Sequence, residues 1–427
     1  MSTEGFIKET SNLSMSAAVL DPTKTMATPR AFTGYKPSRP DERDYEIIID
    51  DDRLPLKPGG ISTFSIFEKT EQAKHWNGPL IYHSKDQGDT SMCVAHAVGS
   101  AYTYAYAREH SIRTPDGWGE IRHFHPSRMF LYYLARLIDE DPSQWAKLSD
   151  FANNTPTMMK DADNGTYIST VCRIVCQLGA CDEPTPGAAV TSADVAASVD
   201  AWPFFDYPWD TRMPDRDAEM PLNHLSEKKK KSDGSDDWRF PSGSLGTMPP
   251  AKGCYTAAVK HRALEYAQPK AEDVEKFEMW KRLIVNGYPI IFAVDLFREP
   301  GKEDEHDKFY PCQDNGFVPA TPTKADEDAK SFSATHVLLA VGWNDGKKAF
   351  LLQDSYGLNA YGDPVEGNPP GAGRGHVDGK FKHRAHWKSG MGRWYMPYSW
   401  LTTESPHPID ETVYMLAREP YVLINKK

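Results

Sequence analysis

His336-Val337-Leu338-Leu339-Ala340-Val341-Gly342-Trp343 is an apolar run, Asn344-Asp345-Gly346 breaks it, and Ala349-Phe350-Leu351-Leu352-Gln353 resumes it. Two apolar runs around a turn signal of this kind predict an antiparallel β-hairpin. His336 opens the first strand and Asp354 closes the second. Symmetric pairing about Asp345 would set their side chains opposite each other on one face. A slip of one residue would send them to opposite faces. The first half of the chain has a different period. Small and aromatic residues recur at helical spacing over Cys93–His110, and His125–Leu137 and Thr166–Leu178 read the same way. A further helix is expected over Ala271–Asn286 and a strand over Tyr288–Phe297. Two β-like runs follow, Arg393–Tyr398 and Thr412–Leu416. Helices first and antiparallel strands later predict an α+β fold.

Composition narrows the function classes. The 427 residues suit two or three domains, or one large two-lobed unit. A net charge of −11 argues against a general nucleic-acid binder. Mean hydropathy is −0.60, and apolar stretches such as Tyr288–Val294 fall far short of the ~20 residues a membrane span needs. Six cysteines in this length exclude a disulfide-dense scaffold. Residues 1–35 show no basic segment leading into an apolar one. A reducing, cytoplasmic setting is therefore expected, with no membrane and no nucleic-acid partner. Cys172, Cys176 and Cys181 lack a fourth ligand at zinc spacing and read as buried thiols; no metal or cofactor is expected. Residues 202–253 and 358–392 read as irregular excursions. The first carries Lys228–Lys231 followed by Asp233, Asp236 and Asp237, a solvated face. The basic stretch 371–394 reads the same way or as a lid.

One cysteine differs from the rest by position. Cys93 sits where a polar loop, Asp86–Met92, meets a helix. A helix N-terminus favours negative charge, and the thiolate is the form that attacks a carbonyl carbon. Such a nucleophile needs a base, and the base an orienting acceptor. His336 and Asp354 offer both. Gln87, six residues before Cys93, could return along the loop as a side-chain donor to a developing oxyanion.

These residues resemble a known family. Asp86-Gln87-Gly88 followed by Cys93-Val94-Ala95 is similar to the nucleophile signature of the papain-like (C1) cysteine peptidases. Thr335–Trp343 resembles that family's histidine strand, and Gln353-Asp354-Ser355-Tyr356-Gly357 its Asn-Ser-Trp-Gly block. Gly392–Tyr398, Arg39–Tyr45 and Asp163-Asn164-Gly165-Thr166 are similar to segments of propeptide-poor bacterial and viral members. The resemblance implies a two-lobed papain-like fold with a cleft between a helical lobe and a β-rich lobe. Residues 1–50 would be an arm and 51–427 the peptidase domain. The helical lobe would span about 80–255 and the β-rich lobe about 256–427 plus 51–79. It further implies hydrolysis of a peptide or protein substrate through a thioester. Cys93 would be nucleophile, His336 base then acid, Asp354 the orienting residue and Gln87 the oxyanion donor. The sequence departs from the family in several positions. Asp354 stands in place of an asparagine, Tyr356 in place of a tryptophan, and Met92 in place of a small residue. Val94 replaces a bulky residue, and Thr90 stands where secreted members carry a disulfide cysteine. These departures keep a second expectation open, a catalytically inactive papain-like module with a structural or protein-binding role. His96, His123 and His125 read as structural histidines.

Overall fold

The computed structural model describes residues 36, 45–48, 54, 56–67, 70, 72, 87, 90–110, 112–113, 119–120, 124–151, 153–154, 156, 161–181, 227–230, 236–240, 246–247, 249–250, 252–263, 265–267, 277–297, 332–355, 393–401, 409–417 and 423–426. Residues 1–34, most of both expected excursions, His123, Cys312 and Tyr356 lie outside the described residues.

Five α-helices are described: α1 (Cys93–His110), α2 (Arg128–Glu140), α3 (Ile168–Gln177), α4 (Lys252–Ala258) and α5 (Phe277–Val285). Helix α1 has the bounds its spacing predicts. Helix α2 starts three residues later than expected. Pro126 stays outside it, and the Ser127 hydroxyl takes the N-cap position, accepting from the Phe130 N–H at 3.3 Å. Helix α2 is buried nearly all round, with Met129 through Ala135 and both Arg128 and Arg136 enclosed, as expected for a central core helix. The Arg136 guanidinium lies over the rings of Tyr132 and Phe240 and donates to the Ala162 carbonyl at 2.9 Å. Helix α3 buries Val171, Ile174 and Val175, each contributing about 1.5–3 kcal/mol if fully exposed on unfolding.

Gly179 stops α3. Its φ is +97°, and a Cβ there would collide with the Ala258 carbonyl oxygen at the end of α4. Gly179→Ala is therefore expected to cost at least about 2 kcal/mol, combining a left-handed backbone with a main-chain clash. The midpoint of urea denaturation measures it, and an unchanged midpoint would show that the α3–α4 contact is not tight.

Thirteen strands follow chain order: β1 (Tyr45–Ile48), β2 (Thr63–Ser65), β3 (Ile112–Arg113), β4 (Gly119–Glu120), β5 (Glu227–Lys230), β6 (Asp236–Arg239), β7 (Glu265–Ala267), β8 (Ile290–Phe297), β9 (Phe332–Asn344), β10 (Ala349–Gln353), β11 (Arg393–Pro397), β12 (Ile409–Ala417) and β13 (Leu423–Lys426). The main sheet has the order β11-β10-β9-β8-β12-β7, with β2 also paired to β9. Every pairing in it is antiparallel. Trp280 of α5 ties that helix to the sheet, its ring 4.9 Å from Phe292 and 5.1 Å from Phe350. Separately, β1 pairs with β13, so Tyr45–Ile48, within the expected arm, joins a C-terminal strand.

Two sequence expectations need correction. Residues 202–253 are not irregular throughout. Lys228, Lys229 and Lys230 lie in β5, and Asp236 and Asp237 lie in β6, with Lys229 opposite Asp237 and Lys230 opposite Asp236. Neither stretch alternates apolar and polar residues, so no strand signal marks it in the sequence.

The second correction concerns the β9–β10 hairpin, which is not symmetric about Asp345. Ala349 faces Asn344 and Leu351 faces Gly342, but Leu352 then faces Ala340, leaving Val341 as the extra residue of a bulge. Beyond the bulge Gln353 faces Leu339. Continued one step, that register brings Asp354 to Leu338, whose side shares the face of His336. Without the extra residue Asp354 would align with Leu339 and the opposite face. The bulge thus re-aims the strand end. Here β2 joins: the Ile66 N–H donates to the Val341 carbonyl at 3.1 Å, and the Phe64 carbonyl presses where a Cβ on Gly342 would be.

Candidate functional site

The N-terminus of α1 packs against the β9–β10 end of the sheet, and the four sequence-selected residues meet there. Cys93 is the first residue of α1 and is fully buried. His336 comes from β9 and is fully buried. Asp354 follows the last residue of β10, and its side chain has no exposure. The His336 Nε2 lies 2.9 Å from Asp354 Oδ1. Asp354 Oδ1 also accepts from the Ser355 N–H at 2.6 Å, which fixes the carboxylate relative to the main chain.

Burial by itself would lower the His336 pKa. The Asp354 charge and hydrogen bond outweigh it, aided by the nearby Cys93 side chain, and lift it to about 9. The ring is therefore an imidazolium at neutral pH, flanked by a carboxylate and a thiol-bearing side chain. An opposite charge at hydrogen-bonding distance is the physical reason.

Gln87 is also fully buried. Its side chain is held from both ends: Oε1 accepts from the Ser355 hydroxyl at 2.5 Å, and Nε2 donates to the Thr90 carbonyl at 2.7 Å. Its main-chain N–H donates to the Ser355 carbonyl at 2.7 Å, and the Thr90 hydroxyl donates to the Gln87 carbonyl at 2.6 Å. An amide nitrogen carries two hydrogens, so one bond to Thr90 leaves the second for a ligand. The polarity of this amide is set by Ser355, whose hydroxyl claims the oxygen side.

Ser355 therefore links the oxyanion candidate to the His–Asp pair, a role that sequence spacing did not suggest. Its place directly after Asp354 is the signal that could have found it. Tyr104 was missed as well. Its hydroxyl donates to Gln353 Oε1 at 2.5 Å, clamping α1 onto the strand that carries Asp354. His96, one turn along α1 from Cys93, is 2% exposed and shares a small cavity with Ser100, Gln353, Asp354 and Ser355. Met92 is buried beside the nucleophile. Cys172, Cys181 and Cys254 are buried, and Cys176 is partly exposed. Among the described residues no cluster of His, Cys, Asp and Glu could hold a metal ion, and no helix is long and apolar enough to cross a membrane.

A helix that starts at a cysteine, docked against an antiparallel sheet that supplies His and Asp, defines the papain-like α+β fold. The comparisons agree. Xylellain, a cysteine protease from Xylella fastidiosa, superposes with a TM-score of 0.53 at 18% identity, covering 93% of this chain and 100% of that one. In sequence, the chain is similar to an uncharacterized peptidase C1-like protein of Acanthamoeba polyphaga mimivirus, 22% identical over 346 residues, or 77% of this chain and 79% of that one. No protein-family model matches the chain.

Proposed function

We propose that the protein is a cysteine peptidase that hydrolyses peptide bonds through a thioester acyl-enzyme. The observation that carries this reading is the buried His336, bonded to Asp354 at 2.9 Å and lying near enough to the Cys93 side chain at the start of α1 to feel its charge. In the proposed reaction the Cys93 thiolate attacks the scissile carbonyl carbon. The oxyanion is held by the Gln87 side chain and the Cys93 N–H, one of the helix N–H groups without an intrahelical acceptor. The carbon–nitrogen bond breaks as the His336 imidazolium gives its proton to the leaving amine. Neutral His336 then takes a proton from water, which attacks the thioester and releases the acid. Asp354 holds the ring in one orientation and favours its charged form. An extended peptide would bind between the helices and the sheet, with main-chain hydrogen bonds supplying much of the affinity. The similarity to peptidase C1-like and cysteine-protease chains supports the same reading.

The test is incubation with an epoxide thiol inactivator, followed by intact-mass and peptide mapping. One adduct at Cys93 is expected; an adduct elsewhere, or none, would remove the reading. The Gln87 role has its own test. Gln87→Ala should lower kcat by about 100-fold with little change in KM, since an oxyanion donor acts in the transition state. A rise in KM at unchanged kcat would show a substrate-binding role instead.

A second reading, an inactive papain-like module with a structural or protein-binding role, draws on one observation. Cys93, His336 and Gln87 are all fully buried, so a substrate reaches the thiol only after rearrangement. The epoxide experiment separates the two readings.

A further inference from the structure

We propose that Asp163 is a positioning residue for the nucleophile loop, fixing the Ser91 main chain so that the Cys93 N–H and the Gln87 amide converge on one point. The proposal rests on the peptidase reading above and adds a residue to which that reading assigns no task.

Asp163 is 1% exposed and Ser91 is fully buried. Both carboxylate oxygens receive the Ser91 N–H, at 3.0 and 3.1 Å, and the Ser91 hydroxyl donates to the Asp163 main-chain carbonyl at 3.1 Å. The same two residues are thus joined through side chain and main chain, 72 positions apart in sequence. The Tyr132 hydroxyl of α2 donates to Asp163 Oδ1 at 2.6 Å and accepts from the Gly165 N–H at 3.1 Å.

The Asp163 backbone is itself anchored. Its N–H donates to the Trp238 carbonyl of β6 at 2.8 Å, and the Phe240 N–H donates to the Asp161 carbonyl at 2.7 Å. Arg136 of α2 holds the intervening Ala162 carbonyl. The carboxylate therefore hangs from α2 and β6, outside the loop it grips.

Three physical points turn this geometry into a role. A buried carboxylate is costly unless donors compensate it, and here the donors include the nucleophile loop and a tyrosine. One main-chain N–H shared by both oxygens of a carboxyl group, with a hydroxyl bond beside it, fixes the segment in direction as well as distance. Ser91 also lies between Thr90, which binds the Gln87 amide, and Cys93, which opens α1. A displacement of Ser91 would separate the two oxyanion donors, and a misplacement of about 1 Å can cost on the order of 100-fold in rate.

The test separates oxyanion geometry from thiol reactivity in the full chain. Iodoacetamide alkylates a thiolate without forming an oxyanion. A peptide aldehyde forms a tetrahedral adduct whose oxygen occupies the oxyanion site. Asp163→Asn is expected to lower kcat for a peptide amide, and affinity for the aldehyde, by about 10- to 100-fold, while the alkylation rate of Cys93 stays within about threefold. Tyr132→Phe, which removes one donor and leaves Ser91 paired, should move the same two readouts in the same direction by a smaller factor. It also carries the test where Asp163→Asn does not fold. Loss of alkylation in step with hydrolysis, or unchanged aldehyde affinity in both variants, would overturn the proposal. A wild-type Cys93 inert to iodoacetamide is a different result, which removes the peptidase reading and the proposal with it.

Discussion

Cys93→Ala is expected to lower peptide hydrolysis by at least about four orders of magnitude, the scale seen when a covalent nucleophile is deleted. Circular dichroism and the denaturation midpoint should stay close to wild type, because alanine fills the site with only one heavy atom missing. No other described thiol can take over. Cys172 lies within α3, Cys181 lies just beyond that helix and Cys254 lies within α4, none of them the residue that opens a helix, and all three are fully buried. Cys176 is partly exposed, and burial of its sulfur together with the nearby Glu265 charge pushes its pKa far up, the opposite of an activated nucleophile. The measurement is kcat/KM on a peptide substrate together with the intact mass after epoxide treatment. Retained hydrolysis by Cys93→Ala would exclude the proposed nucleophile. A wild-type protein with neither hydrolysis nor adduct would favour the inactive-module reading, in which Met92 and the closed environment of Cys93 block chemistry.

Much of this site is written locally in the chain, and the parts that are not have identifiable causes. Cys93 stands out because the polar loop before it and the small-residue helix after it are adjacent in sequence, so its position at a helix start is a local property. The hairpin is also local, and its turn signal ties His336 to Asp354. Its register is not local. The bulge at Val341 arises where β2 arrives from residues 63–65 and pairs with the same strand, a contact between segments nearly 280 residues apart that no short-range pattern encodes. The same holds for Asp163, which grips Ser91 from 72 positions away. It was legible as part of a motif but not as a partner. Strands β5 and β6 escaped because neither carries the apolar–polar alternation that marks a strand in sequence. Ser355 lay in view beside Asp354, yet its bond to Gln87 spans 268 residues. Sequence spacing thus exposes chemistry carried within one element, and leaves hidden the hydrogen bonds that register one element against another.

Asp354→Ala is expected to destabilise the protein by about 3–5 kcal/mol at neutral pH, because it strips the counter-charge from a fully buried imidazolium. The sign of its pH dependence follows from the folded-state pKa of His336. That value is about 9 against an ordinary 6.5, raised chiefly by the Asp354 charge against the opposing effect of burial. A group with a raised pKa in the folded state contributes its stability in full below its unfolded pKa, and loses it as pH climbs through the folded pKa. The wild-type advantage over Asp354→Ala should therefore be greatest below about pH 6.5, and shrink as pH rises through about 9. Urea denaturation at pH 6, 8 and 10 measures it, and a gap that is flat with pH would show that His336 is neutral in the fold. Asp354→Asn separates charge from shape, since it keeps an acceptor for the imidazole and removes the carboxylate. In wild type, the alkaline limit of kcat/KM, set by loss of the His336 proton that the leaving amine requires, should fall near pH 9. In Asp354→Asn that limit should move down toward the ordinary imidazole value, with kcat reduced wherever the leaving amine waits for a proton. An alkaline limit that does not move on removal of the carboxylate would mean that the charge of Asp354, the residue standing where most of the resembled family has asparagine, does not tune the imidazole.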